Sequence, residues 1–180
     1  AAYRAEVANR QRQFVDDEAT REHIKQLADY LTQENPKFGV LLCGNCGNGK
    51  TTMLYAFRSA LNFLNDRGFF ENPREVGIRI VDARESFELA KNYDRFKEVR
   101  EYRMIGLEDI GREATEVMDY GNLISPIIEM IEYRYDHQLF TFITTNLTPK
   151  QLREKYGSRI ADRFNEMLEV IIFTNETYRK

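Results

Sequence analysis

Apolar residues recur along this chain in two alternating rhythms. Short runs rich in β-branched, aromatic and leucine side chains occur at Phe38–Cys43, Val76–Val81, Tyr102–Leu107, Phe140–Thr145 and Val170–Phe173. Their length and residue types predict strands. Between them, apolar positions fall three and four apart, the spacing of one helix face. One such segment spans Asp17–Gln33, with Ile24, Leu27, Ala28 and Leu31 on the predicted inner face and Asp16 or Asp17 placed to cap it. Glu34-Asn35-Pro36 breaks it. A second carries Met53, Leu54, Phe57, Leu61 and Leu64 and should end near Asp66-Arg67-Gly68. A charged segment, Ser86–Glu101, is read as helical. Leu123–Tyr135 is read as a helix with Ile124, Ile127, Ile128 and Ile131 inward. Thr148-Pro149 opens another, with proline at its first position, and Ser158–Met167 forms one more.

Strands alternating with helices predict a parallel sheet covered on both faces, the α/β class. At 180 residues the chain fits one domain with a substantial core. No apolar run reaches the length of a membrane span. No basic-then-apolar leader opens the chain, which starts Ala1-Ala2 and is read as a piece excised from something longer. The net charge of −3 speaks against a strongly basic nucleic-acid binder. One local basic stretch survives that average: Lys150, Arg153, Lys155, Arg159 and Arg163 against Glu154 and Asp162. It suits either a solvated helix face or a polyanion contact. Cys43 and Cys46 have C-x-x-C spacing, but no second pair completes a zinc site and His23 and His137 are isolated. Free thiols and a reducing, cytoplasmic setting are expected.

The chemistry concentrates in Gly44-Asn45-Cys46-Gly47-Asn48-Gly49-Lys50-Thr51-Thr52, which fits G-x-x-x-x-G-K-[ST] between a predicted strand and a predicted helix. Two fixed glycines alone match by chance at about one position in 200; the lysine, the threonine and the flanking elements make chance far rarer. The first turn of a helix offers unpartnered N–H groups and the positive end of its dipole. Glycines let the chain curl those donors around a phosphate chain. Lys50 would then reach the β- and γ-phosphates of a bound nucleotide, and the Thr51 hydroxyl would sit on Mg²⁺.

Such a site needs an acidic element at the end of a buried strand, and Glu108 and Asp109 stand there. One would hold the metal shell with Thr51, and the other would polarise the attacking water. Asn146 ends the fourth strand, where ligands bind in α/β sheets. Its amide suits a γ-phosphate or the attacking water, and equally the start of a turn before Pro149. Arg159 and Arg163, four apart, share one helix face, with Ile160, Phe164 and Met167 on the other. The helix should pack by one side and present two guanidiniums from the other, as catalytic groups or as ordinary surface residues.

Taken in order, Gly44-x4-Gly49-Lys50-Thr51, Leu107-Glu108-Asp109-Ile110-Gly111, Ile143-Thr144-Thr145-Asn146-Leu147, Tyr156-Gly157-Ser158-Arg159-Ile160-Ala161-Asp162-Arg163 and Thr177-Tyr178-Arg179 resemble the AAA+ ATPase domain of the DnaC-type helicase loaders and the IstB-type transposition helpers. The resemblance spans residues 14–179. It implies a three-layer P-loop fold with a parallel sheet of about five strands, an ATP-binding domain over 14–180, and an extension or linker over 1–13. It implies ATP/ADP and Mg²⁺ as ligands and a homo-oligomer when ATP is bound. Asn146 would be the sensor of the γ-phosphate. Arg163 would be an arginine finger acting on a neighbouring subunit, with Arg159 supporting it, and Arg179 a second sensor within its own subunit. Partners would be a replicative helicase and single-stranded DNA, or a transposase and duplex DNA.

Two departures stand out. The family usually places Asp first in the acidic pair, whereas Glu108 precedes Asp109 here, one methylene longer. That leaves open which carboxylate holds the metal, and it raises a third reading, a nucleotide-dependent binding switch with little turnover. Helicase loaders also carry their helicase-contacting segment ahead of the ATPase domain, and little precedes Phe14 here.

Overall fold

A computed structural model of the chain describes residues 1–73, 76–119 and 122–178. Its sheet follows the alternation of apolar runs closely. Strands β1 (Gly39–Gly44), β2 (Arg79–Asp82), β3 (Met104–Ile110), β6 (Phe140–Thr145) and β7 (Glu169–Phe173) form one sheet in the order β2-β3-β6-β1-β7. Every neighbouring pair is parallel. A short antiparallel pair, β4 (Val117–Asp119) and β5 (Asn122–Ile124), stands apart.

Because side chains alternate across a strand, β1 faces two cores. Val40 and Leu42 turn to one, shared with helices α1 (Ala2–Asn9), α2 (Glu18–Thr32) and α3 (Lys50–Asp66). Leu41 and Cys43 turn to the other, shared with α4 (Ser86–Ala90), α5 (Tyr93–Arg100), α6 (Pro126–Asp136) and α7 (Pro149–Met167). This is the three-layer P-loop NTPase fold of the AAA+ type.

Three sequence expectations change. Residues 123–135 do not form one helix: Leu123 and Ile124 lie in β5, and α6 starts at Pro126. Proline pushes the residue before it out of helical geometry, and Ser125 sits at φ −132°, ψ 75°. On α2 the buried face is Thr20, His23, Leu27 and Tyr30, leaving Ile24 and Leu31 exposed. Ring stacking decides this: His23 lies flat on Phe173 with centroids 3.8 Å apart. Tyr30 donates to the Lys37 carbonyl at 2.6 Å. The 86–101 segment is two helices, the second capped by Asn92, whose side chain accepts from Arg95 N–H. Residues 2–9, within the expected extension, form α1, whose Tyr3 and Val7 are buried in the core shared with α3.

Arg134 is fully buried, and among the described residues no carboxylate pairs with it. Its five N–H donors meet five oxygens: Thr141 Oγ1 and the carbonyls of Arg100, Tyr102, Arg103 and Phe140. One side chain thereby ties α6 to the starts of β3 and β6. Substituting Arg134→Leu strands these buried carbonyls and should lower unfolding free energy by about 3 kcal/mol in urea titration; a change under about 0.5 kcal/mol would contradict the role.

Burial lowers the His23 pKa, with the Ile172 backbone and Asp17 opposing. The folded state therefore favours neutral imidazole, and the unfolded chain takes up the proton first. Stability should fall as pH drops below about 6.5. His23→Phe, which can keep the stack on Phe173, should shrink the loss of urea midpoint between about pH 7 and pH 5; an unchanged loss would show that carboxylates alone produce it.

Candidate functional site

Five parallel strands point their C-terminal ends toward one edge, and the glycine loop lies there between β1 and α3. The loop can approach so closely because it lacks side chains. At Gly44 (φ +142°) a Cβ would stand 2.2 Å from the Phe173 carbonyl, and at Gly49 (φ +100°) 2.5 Å from the Tyr3 hydroxyl. Both are conformations that only glycine adopts readily.

Lys50 begins α3 and is buried, 4% exposed. Its ammonium lies within hydrogen-bond distance of the Gly44 and Asn45 carbonyls (2.7 and 2.8 Å), Asn48 Oδ1 (3.0 Å) and Asn146 Oδ1 (3.0 Å). Asn146, from the end of β6, is thus brought onto the lysine of the loop. Asn48 is turned inward: Nδ2 donates to the Phe173 carbonyl at 3.0 Å while Oδ1 faces Lys50. Its side chain shapes the loop, while Cys46, Gly47, Gly49, Lys50, Thr51 and Thr52 line the cavity with it. No disulfide joins Cys43 to Cys46; Cys43 is buried, which pushes its thiol up to about 11, and Cys46 is exposed.

The acidic pair divides. Asp109 lines the cavity with Lys50, Thr51 and Asn146, and pairs with Arg112 at 2.8 Å. Glu108 lies on the α3 side, accepting from the Tyr55 hydroxyl at 3.2 Å, one helical turn beyond Thr51. β3 runs past the predicted Leu107 to Ile110, through an irregularity between Leu107 and Ile110. Asp109 takes φ +57° there, which costs a non-glycine residue about 1 kcal/mol. Two buried threonines of β6 hold it. Thr144 Oγ1 accepts the Asp109 N–H at 2.9 Å, and Thr145 Oγ1 donates to the Ile110 carbonyl at 2.7 Å. Adjacent β-branched hydroxyls at the end of a buried strand were the available signal for this role.

The chain ends close the site. Asn175 Nδ2 donates to the Asn48 carbonyl at 3.2 Å and Tyr178 N–H to the Gly47 carbonyl at 2.9 Å. The Tyr178 hydroxyl reaches the Asp17 carboxylate (2.9 Å) and Thr20 Oγ1 (2.9 Å), so Asp17 both caps α2 and anchors the tail. Burial pushes the Tyr3 phenol, above the loop, up to about 12. Together these walls line an open cavity of about 1100 Å³ that also includes Arg10, Arg12, Phe14 and Val15. Beyond the Asp17 cap and the Thr177-Tyr178-Arg179 motif, these tail and α1 contacts had no sequence signal. Arg179 lies outside the described residues.

Arg159 and Arg163 do not line the cavity. They lie on α7 after its break at Gly157 (φ 84°, ψ 166°), with Ile160, Phe164 and Met167 buried on the opposite side. The expectation of two presented guanidiniums holds for Arg159, whose side chain is 73% exposed, but not for Arg163, at 13%. Arg163 is held on α6 by Glu132 (2.9 Å) and Asp136 (3.6 Å), over the Tyr135 ring. The rest of the basic stretch is also engaged internally, Lys150 with Glu154, Arg153 with Asp162 and Lys155 with the Glu113 carbonyl.

Among the described residues, no group of three or more His, Cys, Asp or Glu forms a metal cage, and no helix is long and apolar enough to cross a membrane. The hard oxygens of Thr51, Glu108 and Asp109 suit Mg²⁺, which is commonly held by one or two carboxylates with substrate phosphates and water.

Replacing Asn48 with Ala leaves the Phe173 carbonyl without its donor and Lys50 with one acceptor fewer. It should destabilise the fold by about 1–2 kcal/mol, read as a lower urea midpoint; an unchanged midpoint would mean the amide has no structural role.

No family model matches the chain, and no curated protein matches it. Solved structures do. The crystal structure of DnaI is similar at 23% identity, covering 93% of this chain and 88% of that one, with a TM-score of 0.67. The DnaC helicase loader is 20% identical over 90% of this chain and 94% of that one, with a TM-score of 0.66. A putative primosome component from Streptococcus pyogenes serotype M3 is 19% identical, covering 92% and 85%, with a TM-score of 0.65. At these identities the likeness is one of fold.

Proposed function

We propose that this chain is an AAA+ ATPase that binds Mg-ATP at residues 44–52 and acts in DNA replication as a helicase loader of the DnaC type. The observation that carries nucleotide binding is the Lys50 ammonium, buried at a helix N-terminus among glycine-loop carbonyls and the Asn146 amide at the end of β6. A buried ammonium beside oriented loop N–H groups is a receptor for a phosphate chain. The fold likeness to DnaI, the DnaC helicase loader and a primosome component supports the replication role.

In this reading Lys50 exchanges its carbonyl partners for β- and γ-phosphate oxygens. Asn146, already on Lys50, senses the γ-phosphate. Thr51 and one of the two carboxylates would hold Mg²⁺, which would neutralise charge on the phosphates. Asp109, which lines the cavity, would orient the attacking water, and Glu108 would take the metal with Thr51. Arg179 would contact nucleotide in its own subunit. Arg163, with Arg159, would complete the site of a neighbour, so that ATP-bound subunits assemble. To reach a neighbour Arg163 must leave Glu132 and Asp136, an exchange of about 1 kcal/mol for pairs of this kind. An arginine supplied in trans contributes about 10³ to 10⁵ in rate, or roughly 4 to 7 kcal/mol of barrier. Single-stranded DNA and a replicative helicase are the partners this reading assigns.

A second reading, a binding switch with little turnover, is favoured by one observation: the Asp109 carboxylate is tied to Arg112. Tight Mg-ATP binding without hydrolysis in the assembled form would select it.

The test is the rate of Mg-ATP hydrolysis per subunit as protein concentration rises over about two to three decades. The rate should climb, and Arg163→Ala should remove about 10³-fold of the plateau while leaving Mg-ATP binding intact. A flat rate unaffected by Arg163→Ala would sink the in-trans assignment.

A further inference from the structure

Behind the cavity lies a buried carboxylate that the proposed chemistry does not use. Glu113 is 6% exposed. Its Oε2 accepts the Gly111 N–H at 2.8 Å, its Oε1 takes the hydroxyl of Tyr156, and its backbone carbonyl takes Lys155 Nζ at 2.7 Å. Gly111 directly follows β3; Asp109, at the end of that strand, and Arg112, just beyond Gly111, line the cavity. Tyr156 is the last residue before the break at Gly157, and its ring meets Phe164 edge-on at 6.3 Å in the next half of α7. Two residues beyond the break stands Arg159.

We propose that Glu113 and Tyr156 form a positioning pair that transmits the charge state of the cavity to the arginine-bearing half of α7. The inference rests on the proposed nucleotide site and goes beyond it. The driver is electrostatic. Arg112, half-exposed at the cavity wall, is balanced by Asp109. A triphosphate entering the cavity competes with Asp109 for that guanidinium, so the 109–113 loop has a reason to move. The carboxylate of Glu113 carries that movement to Tyr156 because both of its oxygens are engaged, one on each element. Gly157 supplies the joint: its φ of 84° with ψ 166° is open to glycine, and nothing lies within 4 Å of where a Cβ would be. The half-helix beyond it can then turn and release Arg163 from Glu132 and Asp136. Neither Glu113 nor Tyr156 touches the cavity.

The experiment is hydrogen exchange of residues 158–167 with and without Mg-ATP, alongside direct measurement of Mg-ATP binding, in the whole chain. Wild type should bind Mg-ATP and change exchange in this segment by about twofold or more. Tyr156→Phe, which removes only the hydroxyl, should bind Mg-ATP within about threefold of wild type and lose that response. Should Tyr156→Phe not fold, Lys155→Ala loosens the same junction from a half-buried position and should reduce the response by about half. Binding in wild type with no change in 158–167 overturns the relay alone, as does a full response in the variant that folds. Failure to bind Mg-ATP overturns the nucleotide site itself, and the relay with it.

Discussion

The placement of one positive charge governs this structure. The Lys50 ammonium is out of water at the start of α3, where the helix dipole already disfavours a cation. A buried ammonium must be surrounded by oxygens or lose its proton. The chain provides those oxygens from three places: the end of β1, the glycine loop and the end of β6. Satisfying Lys50 therefore sets the loop's curl, the inward turn of Asn48 and the position of Asn146. In the proposed nucleotide site, this cation would exchange its carbonyl partners for phosphate oxygens.

Around that charge, the fold recruits distant segments. The loop is too poor in side chains to pack by itself, so other parts of the chain brace it. The Phe173 carbonyl and Asn175 grip Asn48, and Tyr178 holds Gly47 while anchoring on Asp17 and Thr20. Tyr3 of α1 sits above Gly49. The cavity's walls thus come from both ends of the chain, while its floor comes from the glycine loop, the start of α3 and the ends of β3 and β6.

The acidic side is built by a different device. Thr144 and Thr145 hold β3 open at Asp109, splitting two consecutive carboxylates between the cavity and α3. Beyond the same loop Glu113 reaches α7, where a glycine separates the packed half from the half bearing Arg159 and Arg163. Phosphate loop, acidic strand end and arginine helix are therefore joined by hydrogen bonds rather than by adjacency in sequence.

Local chemistry determined much of this from sequence alone. The order of strands and helices was legible because apolar spacing directly reports which face is buried, and β6 appears with the predicted bounds. The glycine loop, Lys50 and the strand-end positions of Glu108, Asp109 and Asn146 were legible because residue type and spacing carry the chemistry. Tertiary contact alone decided the rest. Stacking of His23 on Phe173 outweighed the aliphatic face of α2, and a proline set the start of α6. Arg163 folded onto α6 because Glu132 and Asp136, outside the motifs, stand opposite it. The tail's grip on the loop, the burial of Arg134 among carbonyls and the Glu113–Tyr156 contact join residues far apart in the chain. Such pairings have no periodicity, so only the folded arrangement of the elements could reveal them.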